Sequence, residues 1–187
     1  NKDNFESNGI YGKYGKISEW IVTNITNMTA VFDNDITSGA NTFNENIGNW
    51  DVSNVTHMAY MFHKADKFNQ NIGKWDVGQV IEMQSMFNDT DNFDNDGSDS
   101  INDWNVANVL NMGEMFYDAL SFNRLIDKWN VSKVQNMSRM FARTRLYNKP
   151  LAGWERATSS LSRVKSMASM FSDGKITVSS ITTALQA

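Results

Sequence analysis

The sequence predicts an α/β repeat solenoid: a right-handed stack of about six turns, each running strand, short helix, loop, with the strands forming one parallel sheet. Three observations predict it. The six tryptophans, Trp20, Trp50, Trp75, Trp104, Trp129 and Trp154, recur at separations of 30, 25, 29, 25 and 25 residues. All eleven methionines keep one phase of that repeat, as Met28 and then the pairs Met58/Met61, Met83/Met86, Met112/Met115, Met137/Met140 and Met167/Met170. Within each unit the apolar spacing changes from alternation to a three-and-four pattern, the mark of a strand giving way to a helix.

Each element follows in chain order. Residues 1–17, with Gly9, Gly12, Gly15, Tyr11 and Tyr14, read as an N-terminal cap. Trp50 and Val52 then alternate with Asp51 and Ser53, which predicts a short strand with Trp and Val inward. Val55, Met58, Met61 and Phe62 follow at i, i+3, i+6 and i+7, one face of a short helix. Thr23, Ser53, Ser132 and Ser162 precede four of these helices as N-caps; Gly78 and Ala107 hold that place in two others. Phe68 and Ile72 anchor the returning loop. Asn44, Asn69, Asp94, Asn123 and Asn148 follow the anchor aromatic in successive units. Such a column can satisfy loop backbone groups that lack a sheet partner. One turn cannot bury its apolar side alone, whereas a stack can. The core therefore comprises all six Trp and, in the best-formed units, Met58, Met61, Phe62, Met83, Met86 and Phe87. The repeats occupy 18–171, and the polar stretch 172–187 reads as a C-terminal cap. Insertions interrupt the period before Trp50, before Trp104 and after Trp154.

Composition narrows the function classes. The chain has 187 residues, 41% hydrophobic and 12% aromatic, enough for a packed core. A formal net charge of −4 gives no global field for nucleic acid. No run of eighteen apolar residues predicts a membrane span. Residues 1–9 lack the apolar core of a signal peptide and do not begin with Met, so the start reads as a mature or trimmed end. With no cysteine, disulfides, thiolate metal sites and cysteine nucleophiles are all excluded.

The unit Phe-Asn-x-x-Ile-x-x-Trp-Asp-Val-Ser-x-Val-x-x-Met-x-x-Met-Phe, carried by Asn44, Trp50, Asp51, Val52, Ser53, Val55, Met58, Met61 and Phe62, resembles a known repeat. It is similar to the repeat first noted in mycoplasma lipoproteins and grouped with the BspA-like leucine-rich surface proteins. The resemblance runs from about Gly15 to Phe171. It implies a leucine-rich-repeat-like stack, extracellular or cell-surface display, and adhesion or recognition of a protein or glycan. It implies no catalytic residue and fixes no ligand.

The residues give little support to an enzyme. His57 and His63 lie six apart without a paired nucleophile, and His57 takes a place held elsewhere by Asn27, Glu82, Asn111 and Asn136. The insert before Trp104 carries the one sharp chemical spacing. Asn92, Asp94 and Asp96 stand at loop positions one, three and five, Gly97 at six, Ser98 at seven and Asp103 at twelve. Alternate oxygens in a turning loop converge on a hard cation, which makes calcium the candidate cofactor. The other reading is a solvated loop, since Asp94 and Asp96 also hold the ordinary repeat positions of Asn69 and Asn71.

Charge is segregated along the chain. Nine acids and no Lys or Arg lie between Glu82 and Asp118; ten bases face two acids between Arg124 and Lys165. Arg139, Arg143, Arg145 and Arg163 are therefore the candidate partner-binding residues, since arginine forms bidentate contacts with carboxylates. The expected function is a non-enzymatic recognition or adhesion module at a cell surface. The alternative is a structural block of a virion, fibre or surface layer, assembling with copies of itself through the ends and faces of the stack.

Overall fold

The computed structural model describes residues 15–155 and 164–173. Most of both expected caps, Ser162 and Arg163 lie outside the described residues.

Each repeat is a chain of β-turns. In the second, Trp50 N–H donates to the Ile47 carbonyl, Val55 to Val52, Met61 to Met58, Ala65 to Phe62 and Phe68 to Ala65, at 2.8–3.3 Å. A β-turn brings residues i and i+3 to one side of the chain, so both ends of each turn can point inward. Ile47, Trp50, Val52, Val55, Met58, Met61, Phe62, Ala65 and Phe68 are all buried accordingly.

This overturns the expected fold class. Among the described residues there is neither a parallel sheet nor a turn made of strand, helix and loop. The only α-helix among the described residues is the four-residue Ala152–Glu155, and successive repeats meet through isolated parallel bridges: Asn27 to His57, His57 to Glu82, Glu82 to Asn111, Asn111 to Asn136 and Asn136 to Ser166. The physical reason lies in the backbone. Two left-handed residues interrupt the expected helix and its exit, Tyr60 (φ 58°) and Lys64 (φ 55°), and they recur as Ser85/Asp89, Glu114/Asp118 and Arg139/Arg143. A right-handed helix does not accommodate left-handed residues, and an extended strand cannot continue through them. The three-and-four apolar spacing thus arises from consecutive turns, a period that imitates a helix.

The same geometry links the repeats. The N–H groups of Met58, Tyr60, Phe62 and Lys64 donate to the carbonyls of Glu82, Gln84, Met86 and Asn88, each at 2.9 Å. Every second amide thus bonds the next repeat, and intervening ones close turns within their own. Four residues at the expected N-cap positions serve as donors instead. Ser53 N–H bonds Asp51 Oδ1, Gly78 bonds Asp76, Ala107 bonds Asn105 and Ser132 bonds Asn130. These are Asx turns, the side-chain substitute for a backbone turn.

The core is two parallel columns of rings. Phe32, Phe62, Phe87, Phe116, Phe141 and Phe171 stack at 5.4–5.7 Å between centroids. Phe43, Phe68, Phe93, Phe122 and Tyr147 form the second column at 5.7–6.0 Å. Five tryptophans are buried, and so are ten of the eleven methionines. Trp20 departs from expectation at 38% exposure, and Met167 is only partly buried. Both belong to the outermost described repeats, which have a described neighbour on one side only.

Two insertions are absorbed as 3-10 turns, at Ala40–Thr42 and at Asn95–Gly97 followed by Asp99–Asp103. The second returns Ile101 to phase, where its carbonyl accepts from Trp129 Nε1 at 2.8 Å. It packs so closely on the preceding repeat that a Cβ at Gly73 would lie 1.8 Å from Ser100 Oγ.

Candidate functional site

The turn geometry leaves three neighbouring positions per repeat for side chains outside the ring columns. One is the first left-handed position: Ala30, Tyr60, Ser85, Glu114, Arg139, Ser169. The next directly follows the column Phe: Asp33, His63, Asn88, Tyr117, Ala142, Ser172. The third follows that: Asn34, Lys64, Asp89, Asp118, Arg143, Asp173. The backbone ladder sets members of each column one repeat apart, so side chains distant in sequence become neighbours.

At the N-terminal side of this face lies a mixed cluster. His63 Nδ1 is 3.2 Å from Asp33 Oδ1 and 3.9 Å from Asp35 Oδ2, while Lys64 Nζ is 2.7 Å from the same Asp35 oxygen. The hydrogen bond from Lys64 lowers the pKa of Asp35 and is the main cause raising that of Lys64. Asp33, Asp35 and His63 bring one ligand atom each within 4.8 Å of one another.

Farther along sit Asp89 and Asp118, flanked by Lys64 and Arg143. Partial burial raises the pKa of Asp89, and the Asp118 carboxylate raises it further. At the far side Arg139 pairs with Glu114 at 3.1 Å and Arg143 with Asp118 at 2.9 Å. Both guanidinium groups lie over the Tyr117 ring, at 4.8 and 5.8 Å from its centroid. That arrangement combines ion pairing with cation–π attraction.

The arginines expected to bind a partner therefore divide. Arg139 and Arg143 are exposed but already engaged within the chain. Arg145 is exposed, with no hydrogen-bond or ion-pair partner among the described residues.

The calcium-loop residues are spread among different contacts. Asp94 Oδ1 accepts from Asn123 N–H and from Arg124 Nε, both at 2.8 Å. Arg124 also donates to the Gly97 carbonyl. Asp103 pairs with Lys128 at 2.8 Å, Ser98 Oγ bonds Ser100, and Asn92 Nδ2 donates to the Asp66 carbonyl. Asp96 is exposed, with its N–H on Asn69 Oδ1. Asp94, Asp96 and Asp103 do not gather as the Asp33 cluster does. The guanidinium of Arg124 stands beside the Asp94 carboxylate, one of the ligands the calcium spacing predicts.

His57 lies on the bridge column, part-buried, with Nδ1 at 2.8 Å from Thr56 Oγ1. Sequence reasoning missed Asp33, Asp35 and Tyr117. The signal was present in the register, since Asp33 and His63 each directly follow the column Phe of adjacent repeats.

No helix among the described residues is long and apolar enough to cross a membrane. No curated protein matches the chain, and no solved structure does. One family model matches twice in tandem, over residues 3–100 and 97–183: Mycoplasma protein of unknown function, DUF285.

Proposed function

The chain belongs to that Mycoplasma family of repeat proteins, and on that premise we propose that it is a non-enzymatic recognition module, displayed at a cell surface and allied to the BspA-like surface proteins. One observation carries the reading. Six repeats place Phe at one position (32, 62, 87, 116, 141, 171) and six different residues at the next: Asp33, His63, Asn88, Tyr117, Ala142 and Ser172. Inward chemistry is uniform because stacking dictates it. Chemistry beside the column is free to change: His63, Tyr117 and Ser172 stay partly open while Asp33, Asn88 and Ala142 are buried, and Tyr60, Arg139 and Arg143 at the flanking positions are exposed, so the face presents distinct groups from repeat to repeat. The partner class is a protein or glycan, met by Tyr60, Tyr117 and the arginines, residue types that dominate recognition surfaces. Calcium at the Asn92–Asp103 loop remains a subordinate part of the proposal, in which the ion displaces Arg124.

The test compares the unaltered chain with a Tyr60→Ser, Tyr117→Ser, Arg139→Ser variant on immobilised extracellular-matrix proteins and on a glycan array. Capture of the unaltered chain, with a loss of about tenfold or more in the variant, supports the reading. Capture by none of the surfaces, or equal capture of both chains, removes it.

A second reading, assembly with copies of the chain, rests on the ladder. Between Met58 and Lys64 every inter-repeat amide points toward the C-terminal repeat, while Thr56, Ile81, Leu110 and Gln135 N–H groups point back to the preceding one, so each described repeat offers both donors and acceptors to a neighbour. Sedimentation at several concentrations separates the readings: a constant monomer mass excludes assembly, and a rising mass supports it.

A further inference from the structure

We propose that Asp33, Asp35 and His63 form a binding site for a divalent transition-metal ion of the zinc class, bridging the first two described repeats. The site shares Asp33 and His63 with the column argued above, but its test reads metal binding and does not depend on surface recognition. Its donors are two carboxylate oxygens and one imidazole nitrogen, the mixed oxygen–nitrogen set that suits zinc and its neighbours better than calcium or magnesium. Ligands held at about 2.0–2.2 Å around a tetrahedral ion lie about 3.3–3.6 Å from one another. His63 Nδ1 stands 3.2 Å from Asp33 Oδ1 and 3.9 Å from Asp35 Oδ2, on either side of that spacing. Small side-chain rotations bring the three atoms onto one ion, and a water completes the fourth position.

The fold positions these groups before any ion arrives. Asp33 and His63 share one repeat position, and Asn34 N–H donates to the His63 carbonyl at 3.0 Å, fixing one repeat against the other. Asp33 Oδ1 accepts from Asp35 N–H at 2.9 Å, an Asx turn that holds the two carboxylates on one short loop. Asp33 and His63 form the inner wall, with side chains 7% and 15% exposed; Asp35, at 55%, forms the open side. Burying a carboxylate is costly unless a cation or good hydrogen bonds compensate. No other junction between described repeats offers three such ligands. The same column continues as Asn88, Tyr117, Ala142 and Ser172.

Lys64 identifies the competitor. Its ammonium lies 2.7 Å from Asp35 Oδ2, where it supplies positive charge in the absence of an ion. The side chain is 40% exposed and can swing into solvent. Metal and Lys64 therefore exclude each other, which makes the proposal specific about a fourth residue.

The experiment is calorimetric titration of the full chain with zinc chloride, with Co2+ absorption as a report on coordination. The variants are Asp33→Asn, which retains an acceptor for the Asx turn; His63→Asn, because Asn88 holds that position in the next repeat; Lys64→Ala; and His57→Asn as a control. The expected result is one zinc per chain. Affinity should fall by about tenfold or more in the Asp33 and His63 variants, rise in Lys64→Ala and stay unchanged in His57→Asn. Co2+ should give the intense visible bands of a four-coordinate nitrogen–oxygen site, lost in His63→Asn. Absence of zinc binding overturns the proposal. So does zinc binding that a folded His63→Asn or Asp33→Asn chain, with an unchanged melt, retains in full.

Discussion

Trp75 Nε1 donates a hydrogen bond to the Ile47 carbonyl of the preceding repeat, at 3.1 Å. Trp50, Trp104, Trp129 and Trp154 reach the carbonyls of Ile17, Ile72, Ile101 and Ile126 in the same way, at 2.8–3.3 Å. Each buried indole therefore ties two repeats with its polar edge while its ring fills the core of its own. Trp75→Ala should destabilise the chain by about 3–5 kcal/mol, from lost burial plus the cavity left behind. Trp75→Phe should cost less but still unpair the carbonyl. Chemical denaturation of both variants measures this. A loss under about 1 kcal/mol for Trp75→Ala is incompatible with the core assignment.

Tyr147 closes the second ring column, at a position held by Phe43, Phe68, Phe93 and Phe122, and its hydroxyl is buried with no partner among the described residues. Burial pushes its phenol well above the ordinary value of 10.0. Tyr147→Phe should therefore stabilise the chain, by about 1–3 kcal/mol if the hydroxyl stays unpaired. The sign of the pH effect follows from linkage. Above pH 10 the unfolded phenol loses its proton while the folded one keeps it, so stability falls as pH rises. Thermal melts from neutral to alkaline pH should show that fall in the unaltered chain and a smaller one in the variant. Equal melts at every pH would mean the hydroxyl finds a partner.

The asparagine column shows what was legible in the sequence and what was not. Its recurrence pointed to backbone satisfaction, and the geometry agrees: Asn44 Oδ1 accepts from Asn69 N–H, Asn69 from Asp94, Asp94 from Asn123 and Asn123 from Asn148, at 2.8–3.1 Å. The repeat period and the inward Trp, Met and Phe positions of the inner repeats were legible for the same reason, since stacking requires like residues at like places. The element type was not legible. Val55, Met58, Met61 and Phe62 fit a helix face and a run of turns equally well, and only Tyr60 in the left-handed region decides. Tyrosine is no usual marker of that conformation. The Asp33–His63 cluster was hidden because its members are 30 residues apart and become neighbours only through stacking.

Asn69 offers a direct test of that column, because its Oδ1 accepts from both Asp94 and Asp96 N–H, at 2.8 and 2.9 Å. Asn69→Ala leaves both donors to water or unpaired, and should cost about 1–3 kcal/mol. Asn69→Asp keeps the acceptor and should cost much less, as Asp94 does in the next repeat. Urea denaturation of the pair checks this. Equal losses would show that the amide, rather than the shared acceptor oxygen, is what the column needs.

Arg143 and Arg145, both exposed, should respond differently to charge reversal. A hydrogen bond to the Tyr117 hydroxyl and then the Asp118 carboxylate raise the pKa of Arg143, with Asp89 adding in the same direction. Arg143→Glu would set a third acid beside Asp89 and Asp118, so the melting temperature should fall, and the fall should shrink as salt screens the repulsion. Arg145 has no such partner among the described residues, so Arg145→Glu should leave the melt unchanged. If the basic end of the chain docks an acidic partner, Arg145→Glu alone should weaken capture several-fold. That weakening should resemble the loss caused by moving from about 0.1 M to 1 M salt, over which the Debye length drops from about 10 Å to 3 Å. Paired melts and capture measurements on the two variants decide the matter. A stable Arg145→Glu chain that captures its partner as well as the unaltered chain in low salt would assign Arg145 to solvation only. The contact surface would then be the Tyr60–Tyr117 face.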